Sequence, residues 1–286
     1  MDLTRRLPHK LVEQAKAFAD GEREPAVPRD AATVVLLRAD GSTDEPADPS
    51  APDSSGVEVY LLRRHLGMDF AGGMYVFPGG GVDARDEDRG IGWVGPSPKA
   101  WAERLSCREA LARALVCAAV RETFEESGVL LAGPTADSVV ADTTGADWEE
   151  DRLALVEREL SLAAFLRQRG LVLRSDLLAA WAHWITPVFE PRRFDTRFFV
   201  AALPAGQVTR DVSTESDRVG WMRPQEAIAS VDERRMQMLP PTYVTVTDMA
   251  GLKTPEEALE VASGREIRPI QPAIRFDDDG AVLSVE

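Results

Sequence analysis

Two rhythms of apolar residues alternate along this chain, and together they predict most of its elements. Ala31 to Leu37 and Val57 to Leu62 are short apolar runs that read as strands, separated by the stretch GSTDEPADPSAPDSSG, which reads as a long hairpin loop. Ahead of them, His9 to Asp20 carries apolar residues at helical spacing and stops at Gly21, predicting a short helix. Met74 to Phe77 predicts a third short strand, ended by Pro78 and three glycines read as a turn. PSPKAWAERL predicts a short helix, and Ser106 with Glu109 forms a capping box that would open a long helix to about Glu126, with Gly128 as its terminator. Further strands are expected at Val129 to Leu131, Trp184 to Val188, Thr196 to Leu203, Arg218 to Trp221 and Ile270 to Phe276. Helices are expected at Trp148 to Leu160, Leu162 to Gln168, Pro224 to about Ala229, Thr242 to Ala250 and Thr254 to Ala262, the last with a Thr254/Glu257 capping box. Strands on both sides of one long helix, without strict β-α-β alternation, point to an α+β fold with a mixed sheet.

Composition narrows the function classes. At 286 residues, 44% hydrophobic and 28% charged, the chain has the make-up of an ordinary globular protein with a sizeable core. Its formal charge of −15 argues against nucleic-acid binding, which needs an electropositive surface to displace counterions. Asp40 to Asp53 holds five acids and no base, and reads as a solvated tether. Cys107 and Cys117 fall in one helical stretch and read as core fillers in a reducing, cytoplasmic setting. The first eighteen residues show no apolar signal core, and no apolar run approaches membrane length, so no membrane association is expected.

The chemistry concentrates in RETFEESG, residues 121 to 128. At 100° per residue, Glu122, Glu125 and Glu126 share an arc of about 100° on the long helix, opposite Val116, Cys117, Val120 and Phe124. Three carboxylates this close repel, by about 1 kcal/mol per pair at 4 Å in water and about 4 at an effective dielectric near 20. They also lie at the helix end where the macrodipole disfavours anions. Such a stripe is commonly a solvated face. A divalent cation would turn the repulsion into a binding site, because Mg²⁺ takes oxygen ligands and shares them with substrate phosphate.

The same residues resemble the Nudix box, the signature of hydrolases that cleave a diphosphate linked to another moiety. The family pattern is Gly, five residues, Glu, seven residues, then Arg-Glu-hydrophobic-x-Glu-Glu-x-Gly-hydrophobic. Here Arg121, Glu122, Thr123, Phe124, Glu125, Glu126, Ser127, Gly128 and Val129 match its second half, with Thr123 departing at the hydrophobic position. If Gly80 opens the box, Asp86 stands in for the glutamate, and 34 residues separate Asp86 from Arg121 where the family has seven. That 27-residue insertion resembles the coenzyme A diphosphatase branch. So do the stretch from Tyr60 through Arg63 and Arg64 to Phe77-Pro78-Gly79-Gly80, and HWITPVFEPRRFDTRFF, residues 183 to 199, with Arg192, Arg193 and Arg197. Asp69 stands where that branch carries a second arginine.

The resemblance implies a Nudix-type α/β/α sandwich over residues 30–235, with an insertion at about 87–113, an N-terminal helix and linker over 1–29, and a C-terminal helical extension over 236–286 packed on the domain. It implies that Glu122, Glu125 and Glu126, with a backbone carbonyl near Gly80, hold Mg²⁺ or Mn²⁺. Glu122, Glu125 or Glu215 would take the proton from water, Arg121 would orient a box glutamate, and Asp86 would support that shell. Arg63, Arg64, Phe77, Arg193 and Arg197 are the implied contacts to a small nucleotide substrate. Three substrate readings stand side by side: coenzyme A or its acyl esters; ADP-ribose, NADH or a dinucleotide; and a non-catalytic nucleotide sensor. A homodimer is a candidate assembly. His9, His65 and His183 are scattered and read as structural, and Trp181 and Trp184 as core.

Overall fold

The computed structural model describes residues 5–6, 9–21, 24–41, 56–68, 71–213, 216–277 and 280–284. Strand β1 (Arg5–Arg6) and helix α1 (His9–Ala19) precede the long strand β2 (Arg29–Ala39) and β3 (Val57–Arg64). The chain continues through β4 (Tyr75–Val76), β5 (Gly79–Gly81), a 3-10 turn (Ala84–Glu87), β6 (Trp93–Val94) and α2 (Pro98–Leu105) into α3 (Glu109–Ser127). Next come β7 (Ala132–Gly133), α4 (Ala146–Val156), α5 (Leu162–Gln168), β8 (Val172–Arg174), β9 (Ala179–Ile185), β10 (Phe194–Ala202) and β11 (Ser216–Met222). The C-terminal part holds α6 (Pro224–Asp232), α7 (Pro240–Met249), α8 (Pro255–Gly264), β12 (Pro269–Ile270), β13 (Ala273–Asp277) and β14 (Gly280–Ser284).

A mixed sheet in the order β11-β3-β2-β10-β9-β12 divides two cores. Side chains alternate across β2 with the two-residue period of a strand. Val34 and Leu36 join α3, α5 and Trp101 on one face, while Val35 and Leu37 join Ala227, Val246, Met249 and Ala258 of α6, α7 and α8 on the other. The result is the three-layered α/β/α sandwich that the sequence predicts. Both faces of β2 are covered, which is why its run from Val34 to Leu37 is apolar without interruption.

A cleft arises where β2 and β3 part. They pair only through Leu37–Ala39 and Val57–Val59. Beyond that point β4 pairs with β3 through Leu62 and Arg63, and β5 pairs with β2 through Ala31, Ala32 and Thr33. Residues 75–81 thus cross from one strand to the other at Phe77 and Pro78, and both are buried at the crossing.

The glycines read as a turn are therefore a strand. Four other expectations also change. Ser106 does not open α3: it ends α2 in the left-handed conformation (φ 52°), and Arg108 precedes α3 without a side-chain cap. Val129 to Leu131 is buried but is not a strand, because the Gln207 amide, accepting from Leu130 N–H and donating to Leu130 C=O, takes the place of a partner strand. The strand expected at Trp184 to Val188 lies earlier, at β9. The C-terminal extension is not only helical. Its β12 runs parallel to β9 at the sheet edge, and β13 and β14 form a hairpin that β1 extends. Gly128 does end α3, at φ 75°, with its N–H on Phe124 C=O at 2.9 Å.

Within the insertion, Trp101 and Leu105 of α2 are buried in the core shared with α3, and Trp101 meets Phe199 edge-on at 5.6 Å between ring centroids. Strand β6 pairs with β8, which pairs with β7, in a small separate sheet. Among the described residues, no helix is long and apolar enough to cross a membrane.

Candidate active site

Helix α3 lies beside β5, and contacts between the two put the carboxylates in register with the glycines. The Gly79 N–H donates to Glu126 Oε2 at 2.8 Å. A Cβ on Gly80 would come within 2.5 Å of the Glu122 carboxyl group. The Gly81 carbonyl accepts from Arg121 Nη2 at 3.0 Å. The glycines therefore serve close approach of helix to strand. Gly79 contributes an N–H donor to this register.

Arg121 organises this cluster. Its Nε and Nη2 grip the two oxygens of Asp86 at 3.1 and 3.0 Å, and its Nη1 donates to Glu122 Oε1 at 2.7 Å and to both Glu125 oxygens at 3.3 Å. Burial works against its charge, yet Glu122, Asp86 and Glu125 outweigh that and raise its pKa. Asp86 is itself buried and accepts from Asp83 N–H at 2.8 Å, closing a capping box on the 3-10 turn. The aspartate is short, and the 3-10 turn brings it up to the guanidinium.

Burial pushes the Glu122 carboxyl up to about 7, with Arg121 opposing and Glu125 adding to the rise. Glu125 is raised as well, first by burial. No basic side chain lies in the last turn of α3, and the offset comes from elsewhere. Arg152 of α4, 3% exposed, donates from Nη1 to the Glu125 carbonyl at 2.6 Å and grips Glu149 through Nε and Nη2. Glu149 also accepts from Arg210 Nη1 at 2.8 Å, and the Arg210 N–H caps the Ser127 carbonyl at 2.9 Å. Two arginines remote in sequence thus satisfy and neutralise the acidic helix end.

A cavity of about 710 Å³ opens over this cluster. Glu122, Glu125, Glu126, Arg121, Gly80, Arg64 and Phe77 line it, as the sequence places them. Three expected contacts do not. Arg63 is turned to Asp217, with two bonds of 2.5 and 2.8 Å. Arg193 is buried and ties Thr186 C=O, Ala26 C=O and Gln271 together. Arg197 is buried against Asp195 and Asp30, and Asp195 also accepts from His183 Nε2 at 2.5 Å. These three arginines are held by ion pairs or hydrogen bonds within the fold and do not line the cleft. Asp69 and Glu215 lie outside the described residues.

The cavity is also lined by Arg192 of the 183–199 stretch, and it gains Arg29, Arg85, Arg152 and Arg158. Arg152 was recoverable in part, since Glu149 three residues earlier on one helix signals an ion pair. Nothing local marks Arg29 or Arg158, which reach the cleft by tertiary packing.

Among the described residues, no three acidic, histidine or cysteine side chains converge into a ready metal cluster. The reason is visible: Arg121 stands between Glu122 and Glu125, and Glu126 is drawn onto Gly79. The donor chemistry nonetheless fits a hard divalent cation, being three carboxylates on one helix face beside a glycine whose missing Cβ leaves room at Glu122.

The family model described as the NUDT19 Nudix domain matches residues 102–249, just over half of the chain. The chain belongs to the Nudix family. It is a Nudix pyrophosphohydrolase. Acyl-coenzyme A diphosphatase NUDT19 of Homo sapiens is 29% identical to it, over 88% of this chain and 77% of that one. The Xenopus laevis protein of the same name is 26% identical, over 80% and 70%. The crystal structure of a NUDIX hydrolase from Alicyclobacillus acidocaldarius matches with a TM-score of 0.67 at 25% identity, covering 82% of this Nudix chain and 96% of that one.

Proposed function

We propose that the chain hydrolyses the diphosphate of coenzyme A or acyl-coenzyme A, releasing adenosine 3′,5′-bisphosphate and (acyl-)phosphopantetheine, with Mg²⁺ or Mn²⁺ as cofactor. The observation that carries this reading is the cavity that sets three box carboxylates opposite arginines, together with relatives named for that activity. An acidic protein needs such local cations to receive an anionic substrate.

Glu122, Glu125 and Glu126 would hold the ion. When bound, it would neutralise the diphosphate and lower the pKa of water. The protein's own residues do the positioning. Asp86 and the Gly81 carbonyl fix Arg121, and Arg121 fixes Glu122 and Glu125. Glu126 is set by the Gly79 N–H. Arg64 and Arg192 line the cavity where charge-assisted hydrogen bonds to phosphate oxygens would form. Glu122, Glu125 or Glu215 would accept the proton of the attacking water. In the same reading, residues 30–235 form the hydrolase domain, and 236–286 an extension folded onto it. Two free cysteines accord with a cytoplasmic location.

A substrate panel tests the proposal: coenzyme A, an acyl-coenzyme A, ADP-ribose, NADH and a diadenosine polyphosphate, each with Mg²⁺ and with Mn²⁺, compared by kcat/KM. Coenzyme A or its ester is expected to rank first. Turnover of the others with none of coenzyme A would overturn it.

A further inference from the structure

The segment joining α6 to α7 enters the active site. Tyr75 of β4 donates its N–H to the Gln237 carbonyl at 2.8 Å, and Tyr75 and Met238 form a parallel bridge. Met236 and Met238 are buried on either side of this pairing. The next residue, Leu239, is only half-buried and lines the catalytic cavity with Val76 and Phe77.

Leu239 occupies the N-cap of α7, a position that favours Ser, Thr, Asp or Asn, and it makes no side-chain cap. Pro240 and Pro241 explain how this is tolerated. As the first helical residues they carry no N–H, so two of the four donors a cap would serve do not exist. Pro240 also restricts Leu239 to extended backbone, and Leu239 has φ −69° and ψ 154°. An apolar side chain is thereby presented to the cleft on a stiff support.

The cleft is polarised along residues 76–82. Val76, Phe77 and Leu239 stand at one end. Glu126 meets Gly79 and Glu122 meets Gly80 in the middle. At the other end, past Gly81, lie Arg29 and Phe194, paired in register at the start of β2 and β10. A diphosphate over the central carboxylates would therefore extend one substituent toward Arg29 and Phe194 and the other toward the apolar wall of Val76, Phe77 and Leu239, with Arg64 of the adjoining strand β3 beside it.

We infer that Leu239 is a specificity-determining residue, contacting the branched aliphatic carbon that follows the diphosphate in the pantetheine arm. This rests on the coenzyme A reading. The C-terminal extension is then part of the substrate site.

The test uses Leu239→Ser and the conservative Leu239→Met in the full-length protein, with melting temperatures to confirm folding. Leu239→Ser is expected to lower kcat/KM for coenzyme A about tenfold, in line with loss of one partly buried aliphatic contact. The inhibition constant of phosphopantetheine should rise about as much and that of adenosine 3′,5′-bisphosphate should not move, while Leu239→Met stays near wild type. If coenzyme A is turned over but both inhibition constants hold, or both rise together, Leu239 does not read the arm and the inference fails while the parent reading stands. No turnover of coenzyme A by the wild type would overturn both.

Discussion

Replacing Gly80 by alanine tests the proposed catalytic placement of Glu122 separately from folding. A Cβ at Gly80 would lie 2.5 Å from Glu122 Cδ and Oε1 and 2.6 Å from Oε2, where ordinary contact begins at 3.4 Å. The Glu122 carboxylate must then retreat by about 1 Å, a displacement that can cost about a hundredfold in rate when it misplaces a reacting group. That corresponds to about 2.7 kcal/mol of transition-state stabilisation. The atoms that must move are the tip of a flexible side chain, and the backbone of β5 is extended, so folding stability should stay within about 1 kcal/mol of wild type. Gly79→Ala is the control with the opposite expectation. Its Cβ would meet the Ala32 carbonyl oxygen at 2.5 Å and Thr33 Cα at 2.8 Å, which are backbone atoms of the strand it pairs with. It should destabilise the protein by about 1–3 kcal/mol, as overpacking does. The assay is kcat at saturating substrate and Mg²⁺, beside urea unfolding of each variant. A Gly80→Ala enzyme with wild-type kcat, or one destabilised as much as Gly79→Ala, would refute the geometry.

Three further outcomes are expected. Glu122→Gln and Glu126→Gln should each lower kcat/KM by a factor on the order of 10²–10⁴ with the melting temperature preserved, and full activity in both would refute the assignment of the site. Arg152→Met should cost about 3 kcal/mol in urea unfolding, because it leaves the Glu125 carbonyl and part of Glu149 without their charged donor; a change under 0.5 kcal/mol would show that the bond contributes nothing. Glu122 sets a pH dependence: with its carboxyl at about 7 in the fold and 4.5 ordinarily, the native protein keeps a proton that the unfolded chain has released. Its contribution is full below about pH 4.5 and is lost as pH rises through about 7, by up to about 1.4 kcal/mol per unit. In EDTA, wild type minus Glu122→Gln should show this falling slope, and a flat difference would exclude it.

The sequence was most legible where one residue dictates local geometry and where a period runs long. Gly128 could only be a left-handed terminus, and the acidic stripe of α3 followed from helical spacing alone. What failed depended on neighbours that the local pattern does not show. Ser106 matched a capping box by spacing, but α2 had already claimed it as its own left-handed end. The three glycines looked like a turn because no local signal says that Ala31–Thr33 waits beside them. Arginine roles were the least readable. Arg192, Arg193 and Arg197 sit in one segment, yet only Arg192 reaches the cleft; the direction each side chain takes is set by how β10 enters the sheet, next to β2 and β9.

The bond from Arg121 to Asp86 closes a loop of 34 intervening residues in place of seven. In polymer terms this lengthening is a little over two doublings, and each doubling costs only about 0.6 kcal/mol of closure entropy. Burying Trp101 and Leu105 in the insertion contributes about 1.5–3 kcal/mol apiece and more than offsets it. Spacing inside the Nudix signature is therefore thermodynamically soft, whereas its end points are not. A search that fixes the gap will pass over chains whose active sites close on the same pair of ions.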